Sequence, residues 1–253
     1  MLDVKKDPYI CKSKKNKLCK NSNCDKCYNK SFKSHPKSIF LSKKKNIITN
    51  SRNIIKGTHK KYWFTCNKCN HYFNTSIVNI VKNNSWCPYC ANKKLCDDDK
   101  CTICFNKSFS SYRNKNIILS SNNNISSRKI FLQSNKICLF YCIVCSHEFK
   151  SKVSNIVNKN ICSFCSNKKL CNNINCTLCF NKSFASCIKC FEPGVLITDC
   201  WDKKNKKKPR EIFKKSSKKY WFYYYNKSFQ LRIDTINKSN KKIYNIKKIK
   251  DNS

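Results

Sequence analysis

The spacing of the cysteines constrains this chain more than any other feature. Cys66-x2-Cys69 is followed after 17 residues by Cys87-x2-Cys90, and Cys142-x2-Cys145 after 16 residues by Cys162-x2-Cys165. A C-x2-C turn aims two thiolates at one point, and two such turns complete a tetrahedral four-thiolate site, the closed geometry of structural zinc. Because the pattern occurs twice at nearly equal spacing, it predicts zinc, with disulfides or another thiophilic metal as the alternatives. The opening residues, Met1-Leu2-Asp3-Val4-Lys5-Lys6, are polar and lack the apolar stretch of a signal peptide. The expected location is therefore an intracellular, reducing compartment, where crowded cysteines hold metal more often than disulfides. No run approaches the ~18 apolar residues of a membrane span, so no membrane role is expected.

The cysteines belong to a repeat. Cys27-Tyr28-Asn29-Lys30-Ser31-Phe32 recurs as Cys104-Phe105-Asn106-Lys107-Ser108-Phe109 and Cys179-Phe180-Asn181-Lys182-Ser183-Phe184. Each phrase is preceded by Leu-Cys-x4-Cys-x2, and the copies start at Cys19, Cys96 and Cys171, a period of 77 and then 75 residues. An Asn/Lys/Ser-rich stretch and an aromatic strand signal follow in every copy, and the two C-x2-C pairs close the first two. The third copy reads Tyr223-Tyr224-Tyr225-Asn226-Lys227-Ser228-Phe229 where the first pair should be. Residues 1–18 read as a truncated repeat, since Pro8-Tyr9-Ile10-Cys11 echoes Pro88-Tyr89-Cys90. Three repeats then span 19–94, 95–169 and 170–240, with a basic tail over 241–253. The expected architecture is a set of small metal-stabilised α+β modules, tandem zinc-ribbon or treble-clef repeats built from β-hairpins and short helices.

Each Leu-Cys-x4-Cys-x2-Cys element is one ligand short of closure. Eight residues after its last cysteine stand His35, Tyr112 and Cys187. This comparison predicts one site from Cys19, Cys24, Cys27 and His35 and another from Cys171, Cys176, Cys179 and Cys187. An ordinary surface histidine before Pro36 is the alternative for His35, and Cys190 or Cys200 could replace Cys187. Tyr112 leaves Cys96, Cys101 and Cys104 either empty or in need of a borrowed ligand such as Cys138. Four zinc ions are expected, five if this middle element fills. His71 and His147 follow their knuckles at the same offset; with four thiolates already in place they are surplus as ligands, and a packing role beside the metal is expected.

Coarse structure follows from the pattern. Tyr62–Thr65 and His71–Phe73 should pair as a hairpin around the first knuckle. Ile77, Ile80 and Val81 have helical spacing. Phe32, Phe109 and Phe184 should each open a short helix and pack inward. Without metal, the third ribbon must bury aromatics instead, Trp221 and some of Tyr223, Tyr224 and Tyr225, at ~2 kcal/mol per side chain.

At Trp201-Asp202-Lys203-Lys204-Asn205, Pro209-Arg210-Glu211-Ile212-Phe213 and Tyr220-Trp221-Phe222 the chain resembles the zinc-ribbon (treble-clef) repeat family of giant DNA viruses and some bacteria. The first copy resembles the end of that pattern at Tyr62, Trp63, Cys66, Cys69, His71 and Cys87-Pro88-Tyr89-Cys90. The Lys-Leu-Cys-x4-Cys-x2-Cys phrase is similar to the giant-virus branch. The resemblance extends from about residue 9 to about residue 240. It implies repeated zinc modules and a role with nucleic acid. The third copy departs from it by losing a whole metal site, and the middle copy by carrying Leu139 in place of tryptophan.

Lysine and arginine number 54 against 13 acids, a formal charge of +41. Lysine, asparagine and isoleucine dominate and have A/T-rich codons, so genome bias is the alternative source of part of this excess. Whatever its origin, such a charge favours nucleic acid or other acidic partners through counterion release. The expected function is nucleic-acid binding, to DNA or RNA, with little sequence preference. The phosphate contacts would come from Lys60, Lys61, Lys93, Lys94, Lys168, Lys169, Lys218 and Lys219 beside the knuckles. The alternative is a protein-interaction or scaffold component of a large DNA virus, in the host cytoplasm's viral factory or in the virion. No enzyme is expected, because the one acidic cluster, Asp97-Asp98-Asp99, lies in a four-residue knuckle loop and reads as a solvated turn.

Overall fold

The computed structural model describes residues 11–14, 17–46, 50–159 and 161–238. The expected basic tail over 241–253 and the start of the N-terminal segment lie outside the described residues. The chain divides into two compact units. One runs to Tyr112 and includes Ile125–Leu132; the other comprises Arg113–Asn124 and the chain from Gln133 onward.

Every repeat opens on the same short motif. In the first, α1 (Asp25–Lys30) starts directly after Cys24. Six residues are too few for an isolated helix in water; the helix is held because Cys27 points inward and Ser31 turns the chain out of it. Ser31 is fully buried, and its hydroxyl donates to the Tyr28 carbonyl at 2.7 Å. Phe32 then opens a 3-10 turn and is fully buried. The hairpin that follows pairs β1 (Lys61–Thr65) with β2 (Tyr72–Ser76), and α2 (Ile77–Val81) continues directly from it. Ile77 and Ile80 are buried on α2, as their spacing predicts; Val78 is buried with them, and Val81, expected on the same face, is only partly buried.

The second repeat follows the same plan with α3 (Thr102–Lys107) and a three-stranded sheet of β3 (Ile117–Leu119), β4 (Ile137–Cys142) and β5 (His147–Lys152), continued by α4 (Val153–Lys159). The third has α5 (Thr177–Lys182), a small hairpin of β6 (Cys190–Glu192) and β7 (Val195–Leu196), then β8 (Lys219–Tyr224) paired with β9 (Lys227–Arg232) and α6 (Ile233–Lys238).

A single asparagine braces the first ribbon strand in each copy. Asn46 accepts from the Trp63 amide at 2.9 Å and donates to the Trp63 carbonyl at 2.7 Å. Asn123 does the same to Leu139, and Asn205 to Trp221. A carboxamide offers one acceptor and two donors, so one side chain serves both backbone groups of a strand residue. This satisfies a strand that has few neighbours.

The cores are small and aromatic. In the first unit Phe64, Ile77 and Ile80 pack with Phe32, Phe73 and the cysteines of the ribbon. In the second unit Phe222, Ile233 and Ile236 pack with Phe184, Phe191, Ile197 and Tyr224. The third ribbon replaces metal in a specific way. Tyr224 occupies the strand position that Cys142 holds in the second copy, and β8 closes onto β9 through Tyr225 and Asn226, at φ 47° and 54°. Two consecutive left-handed residues make the tight turn that suits a two-residue hairpin. Tyr224 is buried against Phe191 at a ring distance of 5.0 Å, whereas Tyr223 and Tyr225 remain half exposed. Phe191 comes from the β6–β7 hairpin, which lengthens this copy.

Candidate metal centres

Five clusters of four ligand atoms converge among the described residues. Two are the four-cysteine ribbons. Cys66 Sγ lies 3.6 Å from Cys90 Sγ, and Cys69 Sγ 3.5 Å from Cys87 Sγ. The corresponding separations in the second ribbon are 3.7 Å for Cys142–Cys165 and 3.5 Å for Cys145–Cys162. A tetrahedron with zinc–sulfur bonds of about 2.3 Å has edges of about 3.8 Å. The spacing therefore fits four thiolates around one zinc ion and is far from the ~2 Å of a disulfide; all 22 cysteines are free thiols. The hairpins create this geometry locally. After Cys69 and Cys145, Asn70 and Ser146 take φ of 55° and 54°. The Asn70 and Ser146 amides donate to the carbonyls of Cys66 and Cys142, closing each knuckle.

The other three clusters correct the expectations for the triple-cysteine elements. Cys96, Cys101 and Cys104 are completed by His71, and Cys171, Cys176 and Cys179 by His147. His71 Nε2 stands 3.4 Å from the sulfurs of both Cys101 and Cys104. His147 Nε2 stands 3.4 Å from Cys176 and 3.5 Å from Cys179. A tetrahedral edge between sulfur and nitrogen is about 3.6 Å, so the fit is again to zinc. The histidines expected to be surplus are thus placed as ligands, each donated by one ribbon to the next element. Ring stacking sets their orientation: His71 on Tyr89 at 4.2 Å and His147 on Phe164 at 4.2 Å.

The first element has no ribbon before it among the described residues, and Cys11 joins Cys19, Cys24 and Cys27 instead. Cys11 Sγ is 3.5 Å from Cys27 Sγ. His35, expected as the fourth ligand, stacks on Phe32 at 5.5 Å, and its Nδ1 accepts from the Lys37 amide. Cys187, expected to close the third element, is buried in the apolar core beside Phe184, and Tyr112 stacks on Phe109 at 5.0 Å. The three residues share a role. They end the 3-10 turn and cover the phenylalanine, a position that accepts any side chain able to fill the space. Cys138 is buried in β4 and belongs to no cluster, so the middle element is filled by His71 and not by a borrowed Cys138. Cys190 and Cys200 also stand outside every cluster.

Three of the five arginines make one recurring contact that the cysteine spacing does not reveal. Arg128 Nη2 donates to the carbonyls of Asp98 at 2.9 Å and Cys101 at 3.1 Å and lies 3.8 Å from Cys96 Sγ. Arg210 repeats this with Asn173, Cys176 and Cys171, and Arg52 reaches the Asn21 carbonyl. The residue bonded is itself a turn former: Asp98 accepts from the Lys100 amide, Asn173 from Asn175 and Asn21 from Asn23. Asp98 therefore shapes the four-residue loop, beyond the solvated turn expected of it. A guanidinium beside the thiolates also offsets the net negative charge of the site.

Lysines of the repeated phrase tie each knuckle to the ribbon before it. Lys107 Nζ donates to the Tyr89 carbonyl at 2.7 Å, and Lys182 Nζ to the Phe164 carbonyl at 2.8 Å.

The protonation of the thiols prepares them for a dication. Burial alone would raise the Cys66 thiol, but the amides of Lys68 and Cys69 outweigh it and hold Cys66 at about 7. Burial pushes Cys69 and Cys87 up to about 11. Cys171 falls to about 6 although burial opposes it, because His147, the Asn173 amide and its neighbouring thiols favour the thiolate. These clusters so combine an easily ionised thiol with others that lose their protons when metal arrives.

Tandem treble-clef modules, with five four-ligand clusters of cysteine and histidine that could each hold zinc, are the class of protein that this fold and these sites define. Residues 40–93 and 119–168 each match the family described as a probable treble clef zinc finger domain, and these two segments belong to it. The chain is 35% identical over 204 residues to the uncharacterized protein R635 of Acanthamoeba polyphaga mimivirus, a giant virus. The aligned part is 78% of this chain and 47% of that relative, so the chain spans about half the length of the curated relative it matches. Among the described residues, no helix is long and apolar enough to cross a membrane.

Proposed function

We propose that this protein is a zinc-organised, non-catalytic nucleic-acid-binding protein that acts inside the infected host cell. The single observation that carries the reading is its uncompensated positive charge. Five zinc sites, three with four thiolates and two with three, contribute about −8, which leaves most of the formal +41 without internal compensation. Lys60, Lys61, Lys93, Lys94, Lys168, Lys169, Lys218 and Lys219 are all exposed. Two pairs are fixed by the knuckles: the amides of Lys93 and Lys94 donate to the Pro88 carbonyl, and those of Lys168 and Lys169 to the Ser163 carbonyl. Lysines on a rigid turn lose less entropy on meeting phosphate than lysines on a loose one. Lysine acts as a point charge on phosphate, whereas base readout favours bidentate arginine. Three of the five arginines are already committed to the knuckle loops.

The test is binding of labelled DNA and RNA followed by fluorescence anisotropy from about 50 to about 200 mM salt. A steep fall in affinity with little dependence on sequence is expected. Undetectable binding near the lower salt, or a flat response, would remove the reading. A scaffold role is the second reading. The third module favours it, because it keeps the ribbon shape without metal and exposes Tyr223 and Tyr225. A protein pull-down that survives nuclease and high salt would support that role instead.

A further inference from the structure

We propose that a groove in the third repeat binds single-stranded nucleic acid along its phosphate backbone; this deepens the reading above and rests on it. The groove has a volume of about 850 Å³. Its lysines come from four separate pieces of chain, one of them Lys182 of α5, whose Nζ is held by the Phe164 carbonyl. Lys168 and Lys169 follow the second ribbon's last knuckle, Lys207 precedes a 3-10 turn, and Lys214, Lys215 and Lys218 line the approach to β8. Glu211 is the one acid in the lining, and it is engaged, accepting from the Lys208 amide at 2.7 Å.

The concentration of charge is particular to this copy. Backbone bonds set the register between repeats: the amides of Lys56, Leu132 and Lys214 donate to the carbonyls of Lys30, Lys107 and Lys182. The residues equivalent to Lys214 and Lys215 are therefore Leu132 and Gln133 in the middle copy and Lys56 and Gly57 in the first. The copy that has lost its ribbon metal carries the fullest set of lysines there.

Shape selects a single strand. A groove of this volume is in the range of small-ligand clefts. A duplex could touch only its rim, whereas a flexible strand can enter. Tyr220 and Phe213 line the same groove, placing aromatic surface among the lysines. A basic groove with aromatic walls is the recurrent design for single strands, whose bases stack without regard to sequence.

The zinc-loaded full chain is titrated into a labelled oligothymidylate of about 15 nucleotides and into a duplex of equal length. The variant K207Q/K215Q/K218Q is compared with K43Q/K44Q/K82Q, which removes the same charge at exposed positions outside the groove and outside the lysines beside the knuckles. Intact mass confirms that both keep the wild-type zinc content. Three phosphate contacts lower the salt slope on a single strand by about 2 and contribute on the order of 100-fold in affinity near ~0.1 M salt. The groove variant should show that loss and the control variant much less. Equal losses in both variants, tighter binding of the duplex, or displacement by poly-glutamate at matched charge each overturns the groove assignment while leaving general nucleic-acid binding in place. If the wild-type chain binds neither oligonucleotide, the broader reading falls with it.

Discussion

Replacing His71 with alanine should empty one metal site and spare its neighbour. The imidazole belongs by sequence to the first ribbon, yet its Nε2 faces Cys101 and Cys104 at 3.4 Å. The ribbon itself keeps four thiolates, Cys66, Cys69, Cys87 and Cys90. Structural zinc contributes roughly 10–16 kcal/mol; divided over four ligands, one ligand is worth about 3 kcal/mol. At about 1.4 kcal/mol per factor of ten, loss of His71 should weaken the Cys96–Cys101–Cys104 site by about two orders of magnitude. His35→Ala supplies the contrast. His35 accepts one amide hydrogen bond and stacks on Phe32, so its loss should cost about 1 kcal/mol and no zinc. Intact mass measured under native conditions counts the ions, and competition with a chromogenic chelator ranks their lability. Five tightly held ions are expected for the parent and for His35→Ala, and four plus one labile ion for His71→Ala. If His35→Ala loses an ion and His71→Ala does not, the assignment of ligands is wrong.

Further outcomes follow from the same geometry. Zinc binding to the first ribbon near neutral pH should release about three protons, because Cys69 and Cys87 stand at about 11 and Cys90 is also raised, while Cys66 stands at about 7. The bound state holds all four as thiolates, so affinity should rise with pH and fall as acid reprotonates them; calorimetry in buffers of different ionisation enthalpy reads the proton count. Arg128→Ala should leave all ligands in place yet weaken zinc at Cys96, Cys101 and Cys104 by 10- to 100-fold, measured as faster zinc release, with the Cys66 ribbon unchanged. Tyr224→Ala should cost about 3 kcal/mol within the third module, visible as faster amide exchange in β8 and β9, with the zinc content unaltered.

What could be read in the sequence was local. A C-x2-C turn places both its ligands within four residues, so spacing alone identified the two ribbons. The phrase Cys-x-Asn-Lys-Ser-Phe was equally legible as a unit, since Ser31 and Phe32 act within a turn of the cysteine they follow. The fourth ligands of the triple elements were not legible by counting forward, because they are donated from the preceding ribbon, 30 residues before Cys101 and 29 before Cys176. A signal existed. His71 and His147 sit at one offset from their knuckles and vanish in the third copy together with the cysteines. The column of His35, Tyr112 and Cys187 misled because residues that share a space-filling task can look like a degraded ligand. Arg52, Arg128 and Arg210 each precede an isoleucine by two residues, a regularity that lysine-rich surroundings hid.

The handing forward of histidines explains why the third ribbon lost everything at once. A single knuckle turn serves two metals: its cysteines close the ribbon, and the histidine two residues on closes the next element. In the second copy Cys142 pairs with His147 across a four-residue turn; in the third, Tyr224 pairs with Lys227 across two residues. Shortening that turn removes the room for the second cysteine and moves the strand residue that would carry the imidazole. Partial loss would leave buried thiols without a metal partner, whereas complete loss lets Tyr224 pack on Phe191 and close the module with apolar contact. Burying aromatic surface yields far less than a zinc site, and the added β6–β7 hairpin supplies part of the difference. The same remodelled copy carries the lysine groove proposed above for single strands, so the module that holds no metal at its ribbon is the one to which that proposal assigns the polyanion.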